Sequence, residues 1–131
     1  MRFKRPDKKN AESMLDAAER EMRFTLTLKL DDASSSTIVR NIYECFRTMG
    51  DALLVSKGIS SEDHIMPIRE LTKVNINTKR PLNTLDNLRR LRHNINYYGY
   101  NPTRSEAQDT LSIADNLFWP LLKEIKDRIN E

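Results

Sequence analysis

Apolar side chains recur every three to four residues along most of this chain, which is the spacing of helices that bury one face. The first stripe predicts a helix over residues 10–30 and consists of Leu15, Ala18, Met22, Leu26 and Leu30. Residues 24–30 also alternate between polar and apolar side chains, as a half-buried strand would. We favour the helix, because its stripe continues without a break from Leu15.

Capping and stop signals delimit the second and third helices. Three serines at residues 34–36 offer N-caps for a second helix that stops at Gly58. A short third helix is predicted over residues 61–74, with Pro67 near its start, because proline is tolerated in the first turn of a helix. Cys45 lies in the apolar stripe of the second helix, so we expect its thiol to be buried and unreactive.

The C-terminal half of the chain predicts two more helices. The fourth spans residues 82–98 and ends at Gly99. The last one begins after Thr103 and Glu106, a capping-box pair whose side chains satisfy each other's backbone amides. Pro120 interrupts this helix and predicts a kink, since a mid-helix proline loses one hydrogen bond and clashes with the preceding turn.

These elements define the predicted architecture. The fold class is all-α, an up-and-down bundle of four long helices plus one short helix, with no paired sheet. Residues 10–131 form one domain, and residues 1–9 form a basic, flexible tail.

Composition restricts the function classes. No apolar run approaches the roughly 20 residues that cross a bilayer, and no apolar segment follows the basic N-terminus as it would in a signal peptide. A single cysteine excludes an internal disulfide and cannot form a cysteine metal site alone. We therefore expect a cytoplasmic protein that uses no metal and no cofactor.

The positive charge is unevenly distributed. Residues 1–10 hold five Lys or Arg and one Asp, a charge of +4, so the remainder of this +3 chain carries −1. Residues 69–92 contain seven basic residues against Glu70 and Asp86. This basic centre predicts either a phosphate-binding face or helices that pair charges with their neighbours.

Two stretches of the chain, residues 52–58 and 88–98, resemble segments of one known family. Residues 52–58, ALLVSKG, followed by Asp63 and His64, are similar to the end of the second helix and the start of the third in the HEPN family. Residues 88–98, LRRLRHNINYY, followed by the capped last helix, are similar to its fourth and fifth helices. The order and lengths of the elements agree over nearly the whole chain after residue 10.

The resemblance implies a helical bundle that pairs into a symmetric dimer. Active members are mostly metal-independent ribonucleases, often toxins neutralised by a nucleotidyltransferase-like partner, and other members are binding modules. The family signature is an arginine and a histidine separated by four to six residues on the fourth helix. Here the residue five positions after Arg92 is Tyr97, and at most three residues separate His93 from Arg89. The chain departs from the signature.

That departure favours binding over cleavage. A histidine can take and return a proton near neutrality, whereas a tyrosine, with a pKa of about 10, is a poor base there. Arginine suits phosphate, and tyrosine can stack on a base. The candidate RNA- or nucleotide-binding residues are Arg89, Arg92, His93, Asn96 and Tyr97. Tyr98 is expected on the apolar face of the same helix.

Three functions remain open. The leading interpretation is a dimeric, non-catalytic HEPN-like module that binds RNA, a nucleotide or a nucleotidyltransferase-like protein. The alternative is a metal-independent ribonuclease in which His93 is the catalytic residue at a shifted position. The third is a structural protein-interaction domain without a nucleic-acid ligand.

Overall fold

The computed structural model describes residues 2–131, which form five helices and one short pair of antiparallel strands. The helices are α1 (Lys8–Thr25), α2 (Ser35–Ser56), α3 (Ile65–Thr72), α4 (Thr84–Tyr98) and α5, which consists of Arg104–Ile113, Ala114–Phe118 and Trp119–Ile129 in direct succession. The all-α prediction is confirmed, with four long helices and a short one. None of the helices within residues 2–131 is long and apolar enough to cross a membrane.

Helix α2 is the centre of the bundle and contacts each of the other four helices. Tyr43, Phe46 and Met49 on α2 are completely buried. The ring of Phe46 meets that of Phe118 on α5 edge to face, with centroids 5.5 Å apart, an arrangement that aromatic pairs prefer. Cys45 is buried in the same stripe, as predicted, and burial raises the pKa of its thiol to about 12.

The prediction that residues 24–30 continue α1 is wrong beyond Thr25. Residues 26–30 form turns and irregular chain rather than a helix or a strand. The hydroxyl and amide of Thr27 both donate to the carbonyl of Phe24, and such local bonds compete with helix continuation. Asp31 and Ser34 then bond each other's backbone amides at 2.8 and 3.0 Å, which fixes the reversal into α2.

The prediction of no paired sheet is wrong, and the predicted tail contains a strand and the start of α1 within residues 2–9; residue 1 lies outside the described residues. Strand β1 (Arg2–Phe3) pairs antiparallel with β2 (Ile59–Ser60), which follows α2. The Lys4 amide donates to the Gly58 carbonyl at 2.6 Å. Helix α1 begins at Lys8, two residues before the predicted start. Backbone hydrogen bonds of the N-terminal segment determine this pairing, and the spacing of apolar side chains does not predict them.

The predicted end signals of α3, α4 and α5 are confirmed, whereas Ser34, the N-cap of α2, makes no capping hydrogen bond with its side chain. Thr103 and Glu106 form the complete capping box of α5, Gly99 ends α4 in the left-handed region, and Pro67 lies in the first turn of α3. Residues 114–118 just before Pro120 form a π-helical turn. This wider turn accommodates the proline in one continuous helix, since π turns are a regular device where the ordinary bonding ladder is interrupted.

Replacing Gly58 with alanine should lower the free energy of unfolding more than the same replacement at Gly99. Both glycines have positive φ, 75° and 64°, so each alanine carries a backbone penalty of about 1 kcal/mol. A Cβ at Gly58 would also collide with the Lys4 carbonyl, whereas at Gly99 it would meet no atom within 4 Å. Urea unfolding of both variants measures the difference, and equal losses would contradict the close packing at Gly58.

Candidate functional site on the fourth helix

Helix α4 buries a narrow face and leaves the rest of its surface open. Leu85, Leu88 and Ile95 are its buried residues, which lie along one side at helical spacing. The apolar face ends at Ile95. Tyr98, one turn further on, is 76% exposed, so the prediction that it packs on the apolar face is wrong.

Arg92 connects α4 to α2. Its guanidinium donates to the Glu44 carboxylate at 3.2 Å and lies 5.0 Å from the centre of the Tyr43 ring. The Arg92 side chain is only 14% exposed. A guanidinium that is withdrawn from water is stabilised by a hydrogen-bonded carboxylate, and the face of an aromatic ring stabilises it further. Arg92 is therefore positioned as an interhelical contact rather than an open phosphate ligand.

The Arg92 contact continues into a network of alternating charges along α2. Glu44 also pairs with Arg47 at 2.8 Å, and Arg47 pairs with Asp51 at 3.0 Å. Burial raises the pKa of the Asp51 carboxyl, while the neighbouring Arg47 acts in the opposite direction. The two arginines and two carboxylates compensate one another, so the network carries little net charge toward a ligand.

The two preceding arginines of α4 share one carboxylate. Arg89 and Arg90 approach Asp86 at 3.1 and 3.0 Å. One carboxylate cannot neutralise both guanidinium groups, so the group keeps a net positive charge of one. The Arg90 side chain is 67% exposed, and an open depression beside it is lined by Arg89, Arg90, His93 and Asn94.

An exposed aromatic group occupies the end of α4. The ring of His93 lies 4.6 Å from that of Tyr97 and 5.7 Å from that of Tyr98, measured between centroids. Tyr97 is 62% exposed. We call His93, Tyr97 and Tyr98 the aromatic group. Tyr98 is the member that the sequence interpretation missed, since its place at the border of the apolar stripe is typical of a core residue.

Tyr100 belongs to the adjoining turn and is already engaged. Its hydroxyl donates to Glu106 at 2.5 Å, and the same carboxylate oxygen accepts the Thr103 amide at 2.9 Å. Burial acts to raise the pKa of Glu106, but these hydrogen bonds outweigh it and hold the pKa below its usual value. Tyr100 therefore braces the turn that follows the aromatic group.

The five predicted site residues therefore fall into two groups, one exposed at the end of α4 and one held in ion pairs. His93 and Tyr97 lie together, and exposed Asn96 is near them in sequence on the last turns of α4. Arg89 is half-buried beside Asp86, and Arg92 lies between helices. Across residues 2–131 no group of three or more His, Cys, Asp or Glu side chains could hold a metal ion.

No protein-family model, no curated protein sequence and no solved structure matches this chain.

Replacing Arg92 with alanine should destabilise the fold, because it removes a charged hydrogen bond and a cation–π contact between α4 and α2. The expected loss in free energy of unfolding is about 2 kcal/mol. The matched control is Arg90→Ala, which removes an exposed pair and should cost under about 0.5 kcal/mol. Urea unfolding compares the two variants. A loss at Arg92 no greater than at Arg90 would contradict the interhelical role.

Proposed function

We propose that this protein is a non-catalytic HEPN-like module that binds single-stranded RNA, or a nucleotide, at the exposed end of α4. The observation that carries the proposal is the exposure of Tyr97 and Tyr98 side by side with His93. Exposed aromatic rings beside cationic side chains form stacking surfaces for unpaired bases, because every base has a π face.

The charge around the aromatic group suits a phosphate. Arg89 and Arg90 retain one net positive charge after pairing with Asp86, and Arg90 is open to solvent. A guanidinium presents a planar set of donors that matches phosphate oxygens. A base stacked on the tyrosines would thus have a cation available within one or two helical turns.

The arrangement favours binding over cleavage. Tyr97 occupies the place where the family signature expects histidine, and Arg92 is held by Glu44. Cleavage without a metal requires a base for the ribose hydroxyl and a free cation at the phosphate. In the competing proposal His93 is the base, and the nearby cations Arg89 and Arg90 are both paired with Asp86. A ribonuclease assay tests this alternative.

The family resemblance also supports a symmetric dimer in the cytoplasm, with a nucleotidyltransferase-like protein as a further possible partner class. Asp86 and Arg90 occupy the exposed row of α4 that also carries His93 and Tyr97. A twofold axis near the start of this row would bring Asp86 and Arg90 of the two copies together, so that each carboxylate meets guanidinium groups of both copies. Two guanidinium groups still face one carboxylate in each copy, so one positive charge per copy remains for the ligand. The tyrosines at the end of the row would stay open to the ligand.

Sedimentation equilibrium should therefore give twice the chain mass of 15.3 kDa. The variant Asp86→Arg should shift the population toward the monomer, because it places like charges across the twofold axis. Asp109→Arg on α5 is the matched charge reversal outside the row and should leave the dimer intact. A wild-type monomer at high micromolar concentration would remove the dimer from the proposal.

RNA binding tests the proposal itself. The double variant Tyr97→Ala/Tyr98→Ala should bind a fluorescent oligouridylate about 10- to 100-fold more weakly, since one base stacked on this pair of rings contributes about 1–3 kcal/mol. The control is Phe24→Ala, another exposed aromatic ring, on α1, and it should bind like the wild type. Fluorescence anisotropy gives the affinities.

The same protein samples, incubated with RNA in EDTA, decide between binding and cleavage. We expect the strand to remain intact. Cleavage by the wild-type protein that disappears in His93→Ala would establish the ribonuclease instead. Absence of RNA and nucleotide binding would leave the aromatic group as a protein-interaction surface.

A further inference from the structure

The N-terminal segment holds the largest unpaired positive charge of the described chain. Lys4, Arg5, Lys8 and Lys9 are all exposed, and none of them forms an ion pair within residues 2–131. Asp7, the acid among them, accepts the Asn10 amide at 3.0 Å as the N-cap of α1. We call the four cations, with Phe3, the basic platform.

The basic platform is attached to the end of α2 rather than left as a loose tail. β1 pairs with β2, the Lys4 amide bonds the Gly58 carbonyl at 2.6 Å, and the Asp7 amide bonds the Val55 carbonyl at 3.1 Å. A fixed backbone reduces the entropy lost when cationic side chains bind a partner. The charges are therefore presented from a defined surface.

Folding alone does not explain where these cations lie. Lys8 and Lys9 are in the first turn of α1, which has no acidic residue. The positive end of the helix dipole disfavours cations there and attracts anions. An anionic partner bound at this end of α1 would be attracted both by the lysine side chains and by the positive end of the helix dipole.

The cations and the exposed ring of the basic platform together suit a polyanion that carries planar groups able to stack on the ring. Phe3 is 80% exposed between Arg2 and Lys4, so an aromatic face interrupts the run of cations, as in surfaces for single-stranded nucleic acid. Lys4 and Arg5 of the platform also line a depression whose other polar side chains are Asp7, Asn10 and Ser60, together with Val55 and Ile59. A single ring offers little apolar area for insertion into a lipid surface.

We propose that the basic platform is a second contact site for the phosphate backbone of single-stranded RNA, an inference that rests on the proposed function for its ligand class. The platform adjoins the C-terminal end of α2. Arg92 of α4 contacts Glu44 in the middle of α2, and Arg104, shortly after α4, contacts Asp32 just before the start of α2. The 22 residues of α2 span about 33 Å at 1.5 Å per residue. A long strand reaches both sites, and a short one reaches one.

The experiment compares oligouridylates of about 4 and about 16 nucleotides, which bracket common site sizes. The variant Lys4→Gln/Arg5→Gln/Lys8→Gln/Lys9→Gln should bind the long strand about tenfold more weakly and the short strand like the wild type. The slope of log affinity against log salt for the long strand should fall by about 2–3, at about 0.7 for each lost phosphate contact. A control variant, Arg20→Gln/Lys29→Gln/Lys79→Gln/Lys123→Gln, removes the same charge elsewhere and should leave both slopes nearly unchanged.

The outcomes separate this inference from the proposed function. If the tyrosine variant weakens both strands and the platform variant weakens neither, the platform is not an RNA site and the aromatic group remains one. If the control lowers the slope as much as the platform variant, only the overall charge matters and the inference fails. Binding of the platform to phosphatidylserine vesicles, without any effect on RNA, would assign it to a membrane surface and overturn the proposal.

Discussion

The contact of Arg92 with Glu44 and the Tyr43 ring sets the orientation of α4, and the candidate site depends on it. A guanidinium that is largely removed from water must keep its carboxylate, so α4 cannot rotate about its axis without exposing an unpaired buried charge. With Arg92 directed at α2, the opposite side of α4 faces outward. That side carries the shared carboxylate Asp86, the exposed Arg90 and the aromatic group.

Helix α2, which fixes the orientation of α4, also positions the other elements of the molecule. Its buried residues hold α4 and α5, and its C-terminal end supports the pairing of β1 with β2 through Gly58. We propose two separate regions as contacts for single-stranded RNA. They are the aromatic group at the end of α4 and the basic platform beside the C-terminal end of α2. Stacking and phosphate attraction are the two main sources of affinity for single-stranded RNA.

The features that sequence alone predicted are those set by local chemistry. The capping box of Thr103 and Glu106, the stop at Gly99 and the burial of Cys45 follow from neighbouring residues and helical spacing. The helix was extended over residues 26–30 because side-chain periodicity does not register the local bonds that end it at Thr25. Tyr98 was assigned to the core because its spacing continues the apolar stripe, although it is exposed. The strand at residues 2–3 was missed because a contact distant in the chain decides it. The same holds for Arg92. Its type suits phosphate, but a carboxylate 48 residues away determines where it lies.

Backbone amide chemical shifts during titration with an oligouridylate test the central claim most directly. The account predicts the largest changes at His93, Tyr97 and Tyr98, with smaller ones at Arg89 and Arg90 and almost none at Arg92 or Glu44. Long strands should add changes in residues 4–9. Changes centred on α1 and the middle of α2, or none at the end of α4 at saturating strand, would contradict it.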